Sequence, residues 1–261
     1  MEYPQQKQSK ILVIGETCID RYVYGDCNRI SPEAPVPVMN YSESIEKPGM
    51  AFNVFNNIMS LGQSADLITC DGKISKTRFI DRKSKQHILR LDQDDSCASM
   101  DISELDQLSL DDYTATVISD YDKGFLPNEM LVSLIHKLPK PIFVDTKKED
   151  VGDYVGCFLK LNENEYKRAK NVELIDDMVI TVGSKGALYR GQVYPVVPRD
   201  IVDVCGAGDT FIAALVVHYV QYFNAPEAIR FANLCASISV EKSGVYNVSL
   251  EEVIERNVTN D

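Results

Sequence analysis

The chain has no apolar run of membrane-spanning length, and its polar start from Met1 to Lys10 holds no signal-peptide core. Both absences argue against a helical membrane span and against secretion, and lead to the expectation of a cytoplasmic protein. Basic residues are in deficit, 27 Lys and Arg against 39 Asp and Glu, for a formal charge of −12. That balance disfavours nucleic acid and anionic membranes as partners, and any site for an anionic substrate must be locally basic. There is no C-x-x-C pair. The cysteines number seven, an odd count, and Cys70, Cys157 and Cys235 sit in apolar or strand-like runs, so buried free thiols in a reducing compartment are expected. Tandem repeats, low-complexity tracts and obvious linkers are also missing, and 261 residues at 44% hydrophobic are enough for a single domain spanning 1–261.

What is present is an alternation of short apolar runs with amphipathic segments. Ile11–Ile14, Ala65–Thr69, Ala115–Ile118, Pro141–Val144, Cys157–Leu161 and Met178–Val182 read as strands, most of them continuously apolar as parallel strands covered on both faces should be. Polar or glycine residues follow them at Gly15, Asp120, Asp145, Asn162 and Gly183, where open α/β sheets bind ligands. Helical spacing runs over Ala51–Leu61 with Gly62 as its stop, over Pro127–Leu138, and from Pro226 to about Lys242 behind an Asn224 cap; Ser249 and Glu252 fit a capping box. Two segments break the alternation, at about 21–45 and 75–93. They read as a small β-sheet standing off the main domain as a lid.

The most informative stretch is Asp203-Val204-Cys205-Gly206-Ala207-Gly208-Asp209-Thr210, a glycine-rich turn opening a long apolar run. Free N–H groups at such a helix start attract anions, and a carboxylate beside them is placed to take a proton from a hydroxyl that attacks a phosphate. Alone, the turn could equally be structural. Thr181-Val182-Gly183-Ser184-Lys185-Gly186 could face a nucleotide or be a β-turn. Asn162-Glu163-Asn164-Glu165 could serve a hydrated Mg²⁺ or cap a helix. Asp20 stands just past the first strand, and Pro48-Gly49-Met50-Ala51-Phe52-Asn53 feeds a helix.

These five motifs in this order resemble the ribokinase-like, or PfkB, family of carbohydrate kinases over nearly the whole chain. Asp20-Arg21-Tyr22, Tyr24-Gly25, the run from Arg29 to Val38, and Ser119-Asp120-Tyr121 with Lys123-Gly124 are similar to one branch. It comprises the heptose-7-phosphate kinases that form the kinase half of bifunctional ADP-heptose synthases. Nothing resembles the nucleotidyltransferase half, and there is no H-x-G-H. The resemblance implies a three-layer α/β/α sandwich with a β-sheet lid. The implied reaction is ATP-dependent phosphorylation of the anomeric hydroxyl of a heptose 7-phosphate, giving the 1,7-bisphosphate. Another sugar or sugar phosphate as acceptor, and a non-catalytic nucleotide- or sugar-binding protein, are the alternatives.

By the same resemblance Asp209 is the general base, and the N–H groups around Gly206, Ala207, Gly208 and Asp209 form an anion hole. Asn162 and Glu165 hold Mg²⁺ with ATP, mostly through water. Thr181, Gly183 and Gly186 line the nucleotide phosphates, and Asn233 lies near the adenine. Asp20, Gly49 and Asn53 bind the sugar, while Lys76, Arg78, Arg90 and Lys147 are candidates for its phosphate. Asp203 matches a monovalent-cation (K⁺) position, and a homodimer through the lid is expected. The chain departs from the family pattern in four ways. Met50 replaces the second glycine of a Gly-Gly pair, Cys205 a threonine and Thr146 a proline. The fourth is length: the chain is short, with helices trimmed before Lys76 and between Tyr166 and Met178.

Overall fold

In the computed structural model, residues 10–71, 73–197 and 199–258 are described. The strands are β1 (Lys10–Gly15), β2 (Thr17–Ile30), β3 (Pro37–Met50), β4 (Ala65–Ile68), β5 (Ser75–Asp81), β6 (His87–Gln93), β7 (Tyr113–Asp120), β8 (Ile142–Thr146), β9 (Phe158–Asn162), β10 (Asp177–Thr181), β11 (Ala187–Tyr189) and β12 (Gln192–Tyr194). The helices are α1 (Ala51–Ser60), α2 (Asn128–Lys137), α3 (Glu163–Arg168), α4 (Ala207–Tyr222), α5 (Ala225–Ser239) and α6 (Leu250–Val258).

The apolar runs build an eight-stranded sheet in the order β12-β11-β10-β9-β8-β7-β1-β4. The strands from β10 to β4 run parallel; β11 and β12 add an antiparallel edge. Successive side chains on β1 go to opposite faces. Ile11 and Val13 join a core with α1, α4 and α5; Leu12 and Ile14 join a second core with α2. Helix α4 is buried from Asp209 to His218, as a helix apolar all round must be. Its first residues, Ala207 to Asp209, share a cleft with Asp145, Asn162 and Thr181 at the carboxyl ends of β8, β9 and β10.

Capping follows the sequence reading. Asn224 accepts the N–H of Glu227 at 3.3 Å, and Ser249 and Glu252 exchange both capping-box bonds. All seven cysteines are free, with Cys18, Cys157 and Cys235 buried. No helix is long and apolar enough to cross a membrane among the described residues.

The second sheet has the order β3-β2-β5-β6. It leaves the body where β1 ends and returns directly into α1, so its strands reach from Thr17 to Met50, beyond the 21–45 expected. Hairpin β5–β6 adds to it through a parallel pairing of β2 with β5. The two trims expected before Lys76 and between Tyr166 and Met178 correspond to short links: no helix is described between β4, ending at Ile68, and β5, starting at Ser75, and between β9 and β10 lie only the six-residue α3 and one 3₁₀ turn. Between β8 and β9 there is likewise only a 3₁₀ turn, Gly152–Tyr154.

Candidate active site

Helix α4 starts on Gly206, whose φ of 77° is left-handed, and a Cβ there would lie 2.8 Å from Asn53 Nδ2. No side chain caps this helix, so its first N–H groups remain for a ligand. The Ala207 N–H makes one long contact, 3.3 Å, to the Val204 carbonyl. Asp209, in the first turn, is 5% exposed. Its Oδ2 accepts from Asn53 Nδ2 at 3.0 Å, and its Oδ1 accepts from the Tyr121 hydroxyl at 2.7 Å. Burial raises the Asp209 pKa above the ordinary carboxylate range, with the Asn53 and Tyr121 hydrogen bonds pulling the other way. A buried carboxylate with a raised pKa beside free helix-start amides is suited to proton abstraction next to an anion.

Strands β8 and β9 supply a buried charge cluster beneath that helix start. Lys160 Nζ lies 2.7 Å from Asp145 Oδ2, both 3% exposed, and only 2.9 Å from where a Cβ on Gly208 would stand. Lys147 reaches Glu165 at 2.5 Å and Asp145 at 3.3 Å. Burial opposes the Asp145 charge, but Lys147 and Lys160 outweigh it and hold the carboxyl below its usual range. Lys160 carried no role in the sequence reading. A lysine inside the apolar run Phe158-Leu159-Lys160-Leu161 was the signal, because a buried ammonium needs a partner or a ligand.

Asn162 and Glu165 form the capping box of α3: Asn162 Oδ1 accepts the N–H groups of Asn164 and Glu165, and Glu165 Oε2 accepts that of Asn162. Glu165 Oε1 is taken by Lys147. No group of three or more His, Cys, Asp or Glu that could hold a metal occurs among the described residues. Each of these oxygens already accepts a hydrogen bond within the protein, so the pair could reach a hydrated Mg²⁺ through water but does not form a closed protein cage.

A cleft of about 500 Å³ collects most of the expected residues. Asp145, Lys147, Lys160 and Asn162, Thr181, Gly183 and Gly186, and Gly206, Ala207, Gly208 and Asp209 all line it. Thr181 to Gly186 is a turn between β10 and β11, as the turn reading expects, and Thr181, Gly183 and Gly186 also line the cleft. Asn233 also lines the cleft, with its amide bonded to the Tyr194 carbonyl at 2.8 Å. Val196, Val197, Ile201 and Val240 complete an apolar wall.

Except for Lys147, which lines the cleft, the sugar-side residues lie outside that lining, on or near the lid. Asp20 is bonded to Arg78 in a buried pair, and a Cβ on Gly49 would collide with Asp20 Oδ2. Arg78 also donates to Cys205 Sγ at 3.4 Å. Asn53 is fully buried and accepts from Asn57 and Asn247, so its visible work is on Asp209. Lys76 Nζ stands 5.1 Å from the Tyr121 ring centre and Lys147 Nζ 5.2 Å. Arg90 faces Arg78 across the hairpin but is exposed and doubly bonded to Asp92. Both oxygens of Asp203 accept backbone N–H groups, from Cys205 and Gly244 at 2.9 Å each.

Residues 143–252 match the pfkB family of carbohydrate kinases. The bifunctional protein HldE of Aliarcobacter butzleri is 31% identical over 95% of this chain, and that of Haemophilus influenzae strain PittEE 32% over 95%. The matches cover 64% and 63% of those proteins, so the chain spans less than two thirds of the curated relatives it matches. Among solved structures, Thermotoga maritima ribokinase superposes with a TM-score of 0.71 at 17% identity, covering 97% of this chain and 100% of that one. Escherichia coli phosphofructokinase-2 in complex with potassium gives 0.75 at 18%, covering 96% and 99%. The overall fold is thus ribokinase-like, and the match to the pfkB family of carbohydrate kinases covers residues 143–252, less than half of the chain.

Proposed function

We propose that this chain is an ATP-dependent kinase of a phosphorylated sugar, with a heptose 7-phosphate as acceptor at its anomeric hydroxyl and the 1,7-bisphosphate as product. The observation that carries the reading is Asp209, buried between two donors at the uncapped start of α4 and lining the cleft. Asp209 takes the hydroxyl proton as that oxygen bonds to the γ-phosphorus. The bond from phosphorus to the bridging oxygen breaks, and ADP leaves with the electron pair. The amides at Gly208 and Asp209, with Lys160 beside them, meet the charge on the transferring group. Mg²⁺, when bound, neutralises phosphate charge, with Asn162 and Glu165 holding its waters. Thr181, Gly183 and Gly186 flank the nucleotide phosphates, and the apolar wall near Asn233 takes the base.

The lid residues support a phosphorylated acceptor. Lys76 and Lys147 present two ammonium groups over the Tyr121 ring, next to the base. Arg78 and Asp20 are paired and would be shared between phosphate and sugar hydroxyls. A K⁺ site at Asp203 is supported less, because both oxygens already hold backbone N–H groups and Cys205 replaces the neighbouring hydroxyl. The exposed Ile30, Tyr41, Leu89 and Leu91 of the lid support a homodimer through that sheet, and a cytoplasmic location fits the free thiols. A coupled ADP-release assay over a panel of sugar phosphates tests the reading. Turnover of D-glycero-β-D-manno-heptose 7-phosphate is expected. No turnover of it, with turnover of another sugar, ends the substrate assignment.

A further inference from the structure

A general base needs an aimed carboxylate, and Asp209 is aimed by two donors. Asn53 is fixed within α1, where its Oδ1 accepts from Asn57 at 3.0 Å and from Asn247 at 3.1 Å. Tyr121 is fixed by a different device. It follows the last residue of β7, on a loop whose N–H groups at Tyr121, Lys123 and Phe125 all point at the carboxylate of Glu16, at 2.8, 3.0 and 3.3 Å. Glu16 is fully buried. Three main-chain donors converging on one buried carboxylate form an anion nest filled by the protein's own side chain. Met50 packs in one small cluster with Cys18, Ile74 and the Tyr121 ring. The loop is therefore held from the strand side and from the lid base.

We infer, on the kinase reading above, that Tyr121 is a positioning residue for Asp209, its hydroxyl fixing one carboxylate oxygen while Glu16 fixes the loop that carries it. Asp209 is faced by Asn53 from α1, Cys18 from β2, Asp145 from β8, Lys147 just beyond β8 and Lys160 from β9. Asp145 repels the Asp209 charge, Lys147 and Lys160 attract it, and the Cys18 thiol stays neutral because burial pushes it up to about 12. Of these groups Asn53 alone hydrogen-bonds Asp209, and Tyr121 supplies the second bond. Removing the Tyr121 hydroxyl destabilises the ionised base, so its pKa rises and the acid limb of activity moves to higher pH.

The test uses the full chain labelled with ¹³C-carboxyl aspartate, with the Asp209 resonance assigned by its loss in Asp209→Asn. In Tyr121→Phe the Asp209 midpoint moves to higher pH. kcat with ATP and the heptose 7-phosphate falls about tenfold to a hundredfold, its acid limb moves the same way, and KM for ATP changes less than about twofold. Should the phenylalanine variant not fold, 3-fluorotyrosine at position 121, a stronger donor of nearly the same volume, moves the midpoint to lower pH. An unchanged midpoint in whichever variant folds overturns the positioning role, even if the enzyme turns over sugar phosphates. A moved midpoint in a protein that turns over no sugar phosphate leaves the role standing and removes the kinase reading.

Discussion

Lys160 aims its ammonium at the backbone of Gly208, 2.9 Å from the place a side chain there would begin, while holding Asp145 at 2.7 Å. One residue thus ties the carboxylate near the end of β8 to the helix start. Lys160→Met keeps the stem and removes the charge. Breaking a buried pair costs about 3–5 kcal/mol, and Lys147 still faces Asp145, so about 3 kcal/mol in urea unfolding is expected. The pH dependence has a definite sign. Asp145 is held below its usual pKa, so its contribution to stability is present above the ordinary carboxylate range and lost as pH falls through the folded value. In the variant that loss begins at higher pH. An acid-unfolding midpoint unchanged from the parent protein would remove the pair from the stability argument.

Asp209→Asn keeps the shape of the side chain and its place at the start of α4. Turnover is expected to fall by about 10²–10⁴, with nucleotide binding measured by calorimetry kept within a few-fold. Equal loss of binding and turnover would mean that Asp209 organises the cleft instead of the proton.

Because burial raises the Asp209 pKa, the acid limb of kcat lies above the ordinary carboxylate range. A rate profile from pH 4 to 8 checks this. A limb at the pKa of a free aspartate would place the base in water.

Met50 stands at φ 58° and ψ −133°, in backbone that suits glycine, with its side chain buried. That strain is of order 1–3 kcal/mol, and the buried side chain returns about 2–5 kcal/mol. Both Met50→Ala and Met50→Gly lose the packing, but only glycine releases the strain. The glycine variant should therefore be more stable than the alanine variant, the reverse of the usual order. Chemical denaturation of the pair decides it, and an alanine variant of greater stability would show that the backbone relaxes freely.

Replacing K⁺ by Na⁺ at constant ionic strength should change kcat less than about twofold, since both Asp203 oxygens already accept N–H groups. A larger drop would show that the two segments carrying Cys205 and Gly244 rearrange to admit a cation.

The strands and the helix start were legible because parallel strands are continuously apolar and α4 is apolar all round. Ile11–Ile14 and the stretch after Asp209 admit few other readings. Asn162 and Glu165 were legible as a pair; taken alone the stretch favours a helix cap over a metal site, and the fold uses both side chains for the cap. Tyr121, Glu16 and Lys160 were harder to find. Their partners lie 88, 105 to 109 and 15 positions away in the chain, and spacing carries no mark of contacts made across strands. The positive φ of Met50 was foreshadowed by its place in a Gly-Gly position, yet its packing on Tyr121 depends on how the lid returns to the body.

The short links around β9 and β10 have a consequence for how firmly the nucleotide end of the sheet is held. The α4–α5 face buries these strands under long helices, whereas the opposite face beside them has only α3 and brief 3₁₀ turns. Fewer apolar contacts mean a lower free energy of local opening, so amide hydrogens from Asp177 to Tyr189 should exchange ahead of those in β1 and β7. A ligand that spans Asn162, Thr181 and Gly208 would stitch this loosely backed edge to the firm one. Occupancy of the cleft would then be read as slowed exchange across a whole flank of the protein.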